Sequence, residues 1–402
     1  MLTALNEKNE LVSLFQFNSR DQLTKIHANS SFICSSCKAP VILKIGRIKI
    51  PHFAHHAKKN CSSASEGETD NHLNGKKSLY SWLHSLGLNP ELEKVYEEIG
   101  RRADIGVKSG NLEYAIEYQC SAIAPYIKSE RTKDYRSLNI IPFWILSYET
   151  LQLSESRIVK LTEFHQQFLR YSEALKQYFL LLYSSEMTTF MIIYLIAPLS
   201  KYSFIVRLER LPQECVPFPH IPVKFSSLDA ELFSSYLIHR EKWIINRYKY
   251  NVGIKDQFLR MLYEGKETIL LNPPWNGLPM RSNLNFTTYA CEWQTYLYLY
   301  MKKGGIMTEK KLIIYMEKLI KQGVIALRRN QADTSCRFVA ESVNEWLEMM
   351  EACHIVIKIG DQYSLNPDHI VFKIDCVENR NKVVEHFMNN YMHKIIELYN
   401  AR

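Results

Sequence analysis

The chain has 402 residues, 46% of them hydrophobic and 23% charged, with a formal charge of +8 at pH 7. These are the proportions of a soluble globular protein with roughly two or three domains, not of a disordered or fibrous chain. The modest positive excess suits a polyanionic partner without requiring one.

Nine cysteines are an odd number, and Cys34, Cys37 and Cys61 cluster near the N-terminus. That distribution points to a reducing compartment with one metal site, not to a disulfide framework. The first residues lack the basic-then-apolar layout of a secretory signal. The most apolar stretch, 187–199, is too short to span a bilayer and contains Pro198. These features predict a cytoplasmic protein.

Residues 1–65 read as an N-terminal zinc-binding module of short strands and loops. Segments 11–15 and 41–45 are strand-like, and Gly46 suits a turn. Cys34-Ser35-Ser36-Cys37 is a C-x-x-C pair, followed by His52, His55, His56 and Cys61. Such a turn holds two thiolates near one tetrahedral Zn²⁺, and a distant pair completes the site. Cys34, Cys37, His52 and Cys61 form the leading ligand set, with His55 as the alternative fourth ligand. A closed site of this kind is structural, replacing a core that so small a unit lacks. The competing readings are buried thiols beside surface histidines, and a redox pair. The latter normally opens a helix, whereas Pro40 follows closely here.

Residues 66–86 read as a helix ending at Gly87. Glu68, His72 and Lys76 fall at i, i+4 and i+8, on one face. Three strand candidates follow, at 91–99, 101–107 and 112–120, the last two linked by the turn 108–111. A helix over 125–138 and a buried strand over 142–148 complete an α/β unit whose last strand joins by a crossover. This unit is placed at 66–155.

Two of its strands each carry one acid among apolar neighbours, Asp104 and Glu117, and alternation puts Gln119 on the face of Glu117. An unpaired carboxylate buried in a sheet is costly, so each acid needs a partner or a metal. Together Asp104 and Glu117 could hold one Mg²⁺ or Mn²⁺, as in metal-assisted phosphodiester cleavage. Gln119 would orient water or a phosphate oxygen, since an amide cannot serve as a base. Lys76 or Arg131 would supply positive charge. Arg131 and Tyr135, one helical turn apart, could contact phosphate or brace the acids. The plainer alternative pairs Asp104 with Arg101 or Arg102 and Glu117 with a neighbour across the hairpin.

Beyond 155 the chain is expected to be mainly helical to residue 402. Segment 156–184 reads as a helix, 187–195 and 202–209 as strands, and the proline-rich 211–224 as a linker. Further helices are predicted near 228–249, 253–264, 289–303, 308–322, 338–352 and 379–400. A helix and hairpin near 305–370 suggest a winged-helix-like part, with Arg328, Arg329 and Arg337 available to phosphate.

Several ordered motifs resemble the competence protein CoiA-like family. They are Met1-Leu2-Thr3-Ala4-Leu5, the Cys34/Cys37 pair, His52-Phe53-Ala54-His55, Glu68-Thr69 with His72 and Lys76, Arg102-Ala103-Asp104, Glu117-Tyr118-Gln119, Arg131 with Tyr135, and Trp144-Ile145-Leu146. The resemblance implies a PD-(D/E)xK-type nuclease domain and a role in natural transformation, where imported single-stranded DNA is recombined. It also implies that Asp104, Glu117 and Gln119 occupy the active-site strands, with Glu68 on the preceding helix. Gln119 stands where that superfamily usually has lysine. The expected fold is therefore α/β (α+β multi-domain): a zinc-binding β module, a PD-(D/E)xK-like αβββαβ domain and a mainly helical C-terminal region. The expected function is metal-dependent cleavage of DNA. The alternative is a catalytically silent DNA-binding mediator, or a scaffold for other recombination proteins.

Overall fold

The computed structural model describes residues 1–17, 19–46, 49–55, 61, 69–153, 157–250, 255–328 and 335–401. Among the described residues no helix is long and apolar enough to cross a membrane, and Cys34, Cys37, Cys61, Cys120, Cys215, Cys291, Cys353 and Cys376 are free thiols.

The N-terminal part is a five-stranded antiparallel sheet ordered β2-β1-β3-β4-β5, from β1 (Thr3–Leu5), β2 (Leu11–Ser13), β3 (Phe32–Ile33), β4 (Pro40–Lys44) and β5 (His52–His55). Helix α1 (Arg20–Asn29) crosses between β2 and β3, opened by a reciprocal capping box of Ser19 and Gln22. Its small core joins Leu2, Leu14, Phe32 and Phe53 with Cys34 and Cys61.

Helix α2 (Asp70–Ser85) follows. Thr69 caps it by accepting from His72 N at 3.3 Å, while Asp70 in the first turn and His84 in the last match the helix dipole. Leu73, Leu79, Trp82 and Leu83 form its buried face. Gly75 is what brings this face down onto the sheet, because a Cβ there would lie 1.9 Å from the Tyr118 ring.

The large sheet runs β12-β16-β15-β14-β11-β10-β9-β6. Its strands are β6 (Glu91–Leu92), β9 (Ile105–Ser109), β10 (Leu112–Gln119), β11 (Ile140–Ser147), β12 (Ile158–Lys160), β14 (Gln177–Ser184), β15 (Thr189–Pro198) and β16 (Ser203–Pro212). A short pair, β7 (Val95–Tyr96) and β8 (Arg101–Arg102), lies off this path, and β13 (Arg170–Ser172) pairs with the start of β14. Strands β9 and β10 form the expected hairpin, with Gly110 at φ 58° in its two-residue loop. Helix α3 (Pro125–Ser137), with proline in its first turn, carries the chain over to β11, which lies parallel to β10. The mixed α/β class is thus as expected.

Segment 156–184, expected as a helix, instead contains β12, a four-residue helix α4 (Glu163–Gln166), β13 and β14. Every residue of β14 is buried. Leu181 and Tyr183 face the core under Trp82, whereas Leu180 and Leu182 face a second core with Val159 and Phe168. A strand covered on both faces has no alternation to betray it and reads like a buried helix. The sheet therefore continues past residue 155 as far as Pro212.

The remainder is helical: α5 (Ala230–Tyr250), α6 (Gln257–Glu264), α7 (Ala290–Gly304), α8 (Glu309–Lys321), α9 (Ser335–Ala352) and α10 (Arg380–Asn400). A small sheet ordered β17-β19-β18 is inserted, from β17 (Met307–Thr308), β18 (Val356–Ile359) and β19 (Gln362–Leu365). The region docks firmly on the large sheet, since Tyr399 Oη donates to Ile196 O at 2.6 Å. Arg328 is 3% exposed and donates to Leu284 O, Phe286 O and Gln166 Oε1. It is a structural brace, not the phosphate contact expected of it. Arg337 is paired with Glu341 at 2.8 Å on a helix that also carries Glu345, Glu348 and Glu351. Arg329 lies outside the described residues.

Candidate active site

The large sheet brings two acids to one level. Ile105 pairs with Ile116 at the end of the β9–β10 ladder, so the register sets Asp104 opposite Glu117 one step further. The Asp104 side chain takes over there, its Oδ2 accepting from Tyr118 N at 2.9 Å.

Helix α2 lies above this point and supplies two nitrogen-bearing side chains. His72 Nε2 is 3.1 Å from Asp104 Oδ2, and Lys76 Nζ is 4.0 Å from Asp104 Oδ1. Burial pushes the Asp104 carboxyl up, but His72, Lys76 and the Tyr118 N–H outweigh it and hold the group below the usual carboxylate range.

Helix α3 answers with the partners of Glu117. Arg131 Nη2 donates to both Glu117 oxygens at 2.7 Å, and Tyr135 Oη donates to Oε1 at 2.5 Å. Glu117 is 2% exposed. Burial pushes its carboxyl up to about 7, with Arg131 opposing and the charge of Asp104 adding to the rise. Gln119 is anchored by Nε2 donating to Ser121 O at 2.8 Å, which leaves its carbonyl oxygen as the end able to meet a ligand. Arg101 pairs with Asp134 at 2.7 Å and not with Asp104. Glu68 lies outside the described residues.

No local pattern marks Glu93. It is 2% exposed, sits at φ 52°, and accepts from Leu2 N, Thr3 N and Thr3 Oγ1 at 2.8–3.0 Å. Its Oε1 also meets Lys76 Nζ at 2.5 Å, so Lys76 bridges Glu93 and Asp104. Burial pushes the Glu93 carboxyl up, yet Lys76 and Arg102 hold it well below its ordinary value. Its partners, Leu2 just before β1 and Thr3 at its start, lie some ninety positions away in sequence, too far for any local pattern to reveal.

In the N-terminal part, one ligand atom each from Cys34, Cys37, His55 and Cys61 lies within 4.8 Å of the other three. Among the described residues this is the one such group of three or more His, Cys, Asp or Glu side chains. Cys37 Sγ is 3.3 Å from His55 Nε2. Burial and the nearby Arg102 lower the basicity of His55, keeping the imidazole neutral as a ligand must be. His52, placed in the leading set, is corrected to the alternative, His55. Positions 52 and 55 of a strand point to opposite faces, and His52 Nδ1 instead meets Ile50 O at 2.9 Å. Three thiols and one imidazole are a donor set suited to tetrahedral Zn²⁺.

Two acids at adjacent strand ends, under a helix that offers lysine and histidine, define a nuclease-like domain, here carried beside a Cys₃His module. Residues 68–224 match the family model described as the competence protein CoiA nuclease-like domain, 15–64 its N-terminal domain and 233–370 its C-terminal domain. The chain belongs to the competence protein CoiA family. The competence protein CoiA of Bacillus subtilis (strain 168) is 28% identical over 337 residues, covering 79% of this chain and 85% of that protein. No solved structure matches the chain.

Proposed function

We propose that this protein processes DNA in natural transformation, as a divalent-metal-dependent phosphodiesterase acting in the cytoplasm on imported or recombining DNA. The observation that carries this reading is the level pairing of Asp104 and Glu117, with Lys76, His72 and Arg131 around them. Two carboxylates and the Gln119 carbonyl are hard oxygen donors of the kind Mg²⁺ and Mn²⁺ prefer. When bound, such an ion would activate water and stabilise charge on the phosphate. Asp104 and Glu117 would hold it, Gln119 would orient water or a phosphate oxygen, and Lys76 would offer the positive charge that Gln119 lacks. Arg131 and Tyr135 would position Glu117, and His72 would position Asp104. Zn²⁺ on Cys34, Cys37, His55 and Cys61 would be structural.

The same reading divides the chain into a zinc module ending near residue 65, the sheet unit, and a helical region with a winged-helix-like part near 305–370. The succession α7, β17, α8, α9, β18, β19 supports that last assignment. The acidic surface of α9 argues against its reading a DNA groove.

A second reading, a catalytically silent DNA-binding mediator or scaffold, is favoured by one observation. Both Glu117 oxygens are already matched by Arg131, and the position usual for lysine is Gln119. Cleavage of labelled single- and double-stranded DNA with Mg²⁺ or Mn²⁺ separates the two. Activity lost in Asp104→Ala and Glu117→Ala, with folding intact, supports the phosphodiesterase. Salt-sensitive DNA binding with no cleavage under either metal supports the mediator.

A further inference from the structure

Strand β11 meets β14 only at its last two residues, Leu146 and Ser147, and β13 takes the same edge of β14 before that point. Arg170, at the start of β13, closes the resulting gap. Its Nη2 donates to Trp144 O at 2.6 Å, and its Cζ lies 4.5 Å from the centre of the Phe143 ring. The other N–H groups of Arg170 have no partner among the described residues. Trp144 is the register partner of Glu117, so this gap lies roughly 5–10 Å from that acid, one or two strand spacings.

Helix α3 covers the same gap. Lys128 Nζ lies 5.7 Å from the centre of the Trp144 ring and 5.0 Å from that of Phe168. It donates once, to Gln167 O at 2.9 Å, and two of its N–H groups are left over. Arg131, three positions on, lies over the same Trp144 ring at 5.4 Å while it holds Glu117. Arg136 falls at i+8 from Lys128, on the same side of the helix, and is exposed. Lys128 and Arg170 are half-buried.

Three basic groups thus stand together without a counterion. Among the described residues none of Lys128, Arg136 and Arg170 forms an ion pair. The acids of the adjoining elements are engaged, Glu117 by Arg131 and Asp134 by Arg101. Glu130 follows Lys128 by two positions, about 200° round the helix. Burial and the charges of Arg170 and Arg136 lower the Lys128 ammonium to about 8. Half-buried charge without a partner is costly, and an anion held between the three would offset that cost. Phosphate suits the set, because guanidinium groups donate in pairs to its oxygens and the ammonium adds a point charge.

We propose that Lys128, Arg136 and Arg170 bind one phosphate of a nucleic-acid strand, next to the phosphate that would face Asp104 and Glu117. The inference rests on the reading of nucleic acid as the partner, but not on cleavage, since the cluster holds its charge whether or not the acids turn over. A diester within a strand and a monoester at its end share this chemistry, and the test separates them.

The test is DNA binding by the full chain across salt concentrations, read by fluorescence anisotropy without added Mg²⁺ or Mn²⁺. The probes are a linear single strand with and without a terminal phosphate, and a circular single strand. Arg136→Ala changes an exposed side chain, and Lys128→Met keeps an apolar stem over Trp144 and Phe168, so both are expected to melt like the parent. Each should weaken binding several-fold, and the slope of log K against log salt should fall by about 0.7 for the lost contact. Lys8→Ala, an equal change of charge at an exposed turn, should keep the parent's slope. Should Lys128→Met fail to fold, Arg136→Ala carries the test. Weakening on the circular strand assigns an internal diester, and weakening only on the phosphorylated linear strand assigns a terminal monoester. Salt-sensitive binding that the folded variants leave unchanged, or that Lys8→Ala weakens as much, overturns the proposal alone. No binding by the parent overturns it together with the reading of DNA as the partner.

Discussion

Asp104 accepts from the main chain of Tyr118 at 2.9 Å, filling with a side chain the ladder position that β9 leaves vacant opposite β10. The hydrogen bond fixes one carboxylate oxygen at the level of Glu117 and leaves the other towards Lys76. Asp104→Asn keeps an oxygen for the Tyr118 N–H but removes the charge. Metal-dependent DNA cleavage is expected to fall by about 10²–10³-fold, the scale of losing one electrostatic contact to the reacting group. Thermal melting checks that folding is kept, and an unchanged cleavage rate would remove Asp104 from the active site.

Arg131 is the counterion of a carboxylate that is 2% exposed. Above pH 7, where Glu117 is ionised, Arg131→Ala should destabilise the fold by about 3–5 kcal/mol, because it strands a buried charge. Arg131→Ala/Glu117→Gln should recover much of that loss. Denaturant titration of both variants measures this, and equal stability of the two would show that the pair is not coupled.

A different balance holds at Glu93, whose pair with Lys76 excludes solvent on both sides, at 1% and 0% side-chain exposure. Glu93→Gln is expected to cost about 3–5 kcal/mol. If activity is present, it should also lower the rate through a displaced Lys76. The double variant Glu93→Gln/Lys76→Met tests the coupling: it should be more stable than Glu93→Gln alone.

These three relationships were legible in the sequence to different degrees. Helix α2, the β9–β10 hairpin, α3 and β11 carry strong periodicity, caps and turn residues, so the frame around Asp104 and Glu117 follows from local pattern. Strand β14 does not, because burial on both faces erases alternation. The difference between His52 and His55 depends on which face of a four-residue strand turns towards Cys34, which no composition reveals. Glu93 was invisible for a simpler reason: its meaning resides in partners contributed by Leu2 and Thr3.

Metal content separates the two histidines. His55→Ala should lower bound zinc, read by atomic absorption, well below one ion per chain after mild chelation, whereas His52→Ala should leave it near one, as expected when a ligand rather than a neighbour is removed. Equal zinc retention in both would reject the Cys₃His assignment.

The raised carboxyl of Glu117 sets a pH dependence. A folded-state value of about 7 against an ordinary 4.5 means the native state holds the extra proton between those limits. Stability of the metal-free protein should therefore fall as pH rises from 4.5 through 7, and Glu117→Gln should flatten that slope. If Glu117 holds Mg²⁺ as proposed, the ion must displace the same proton, so its affinity should rise through pH 7 in the parent and lose that rise in the variant. Melting curves and Mg²⁺ titrations across this window decide the matter.

The grip of Glu93 on Leu2 and Thr3 also bears on how this protein can be divided. A fragment cut at the boundary of the nuclease-like match, beginning near residue 68, would discard three donors to a buried carboxylate while keeping the carboxylate and its lysine. The remaining pair would be open to water where β1 had covered it. Inactivity of such a fragment would report the missing lid and not the chemistry of the acids, so the Cys₃His module and the sheet unit share one fate in any dissection.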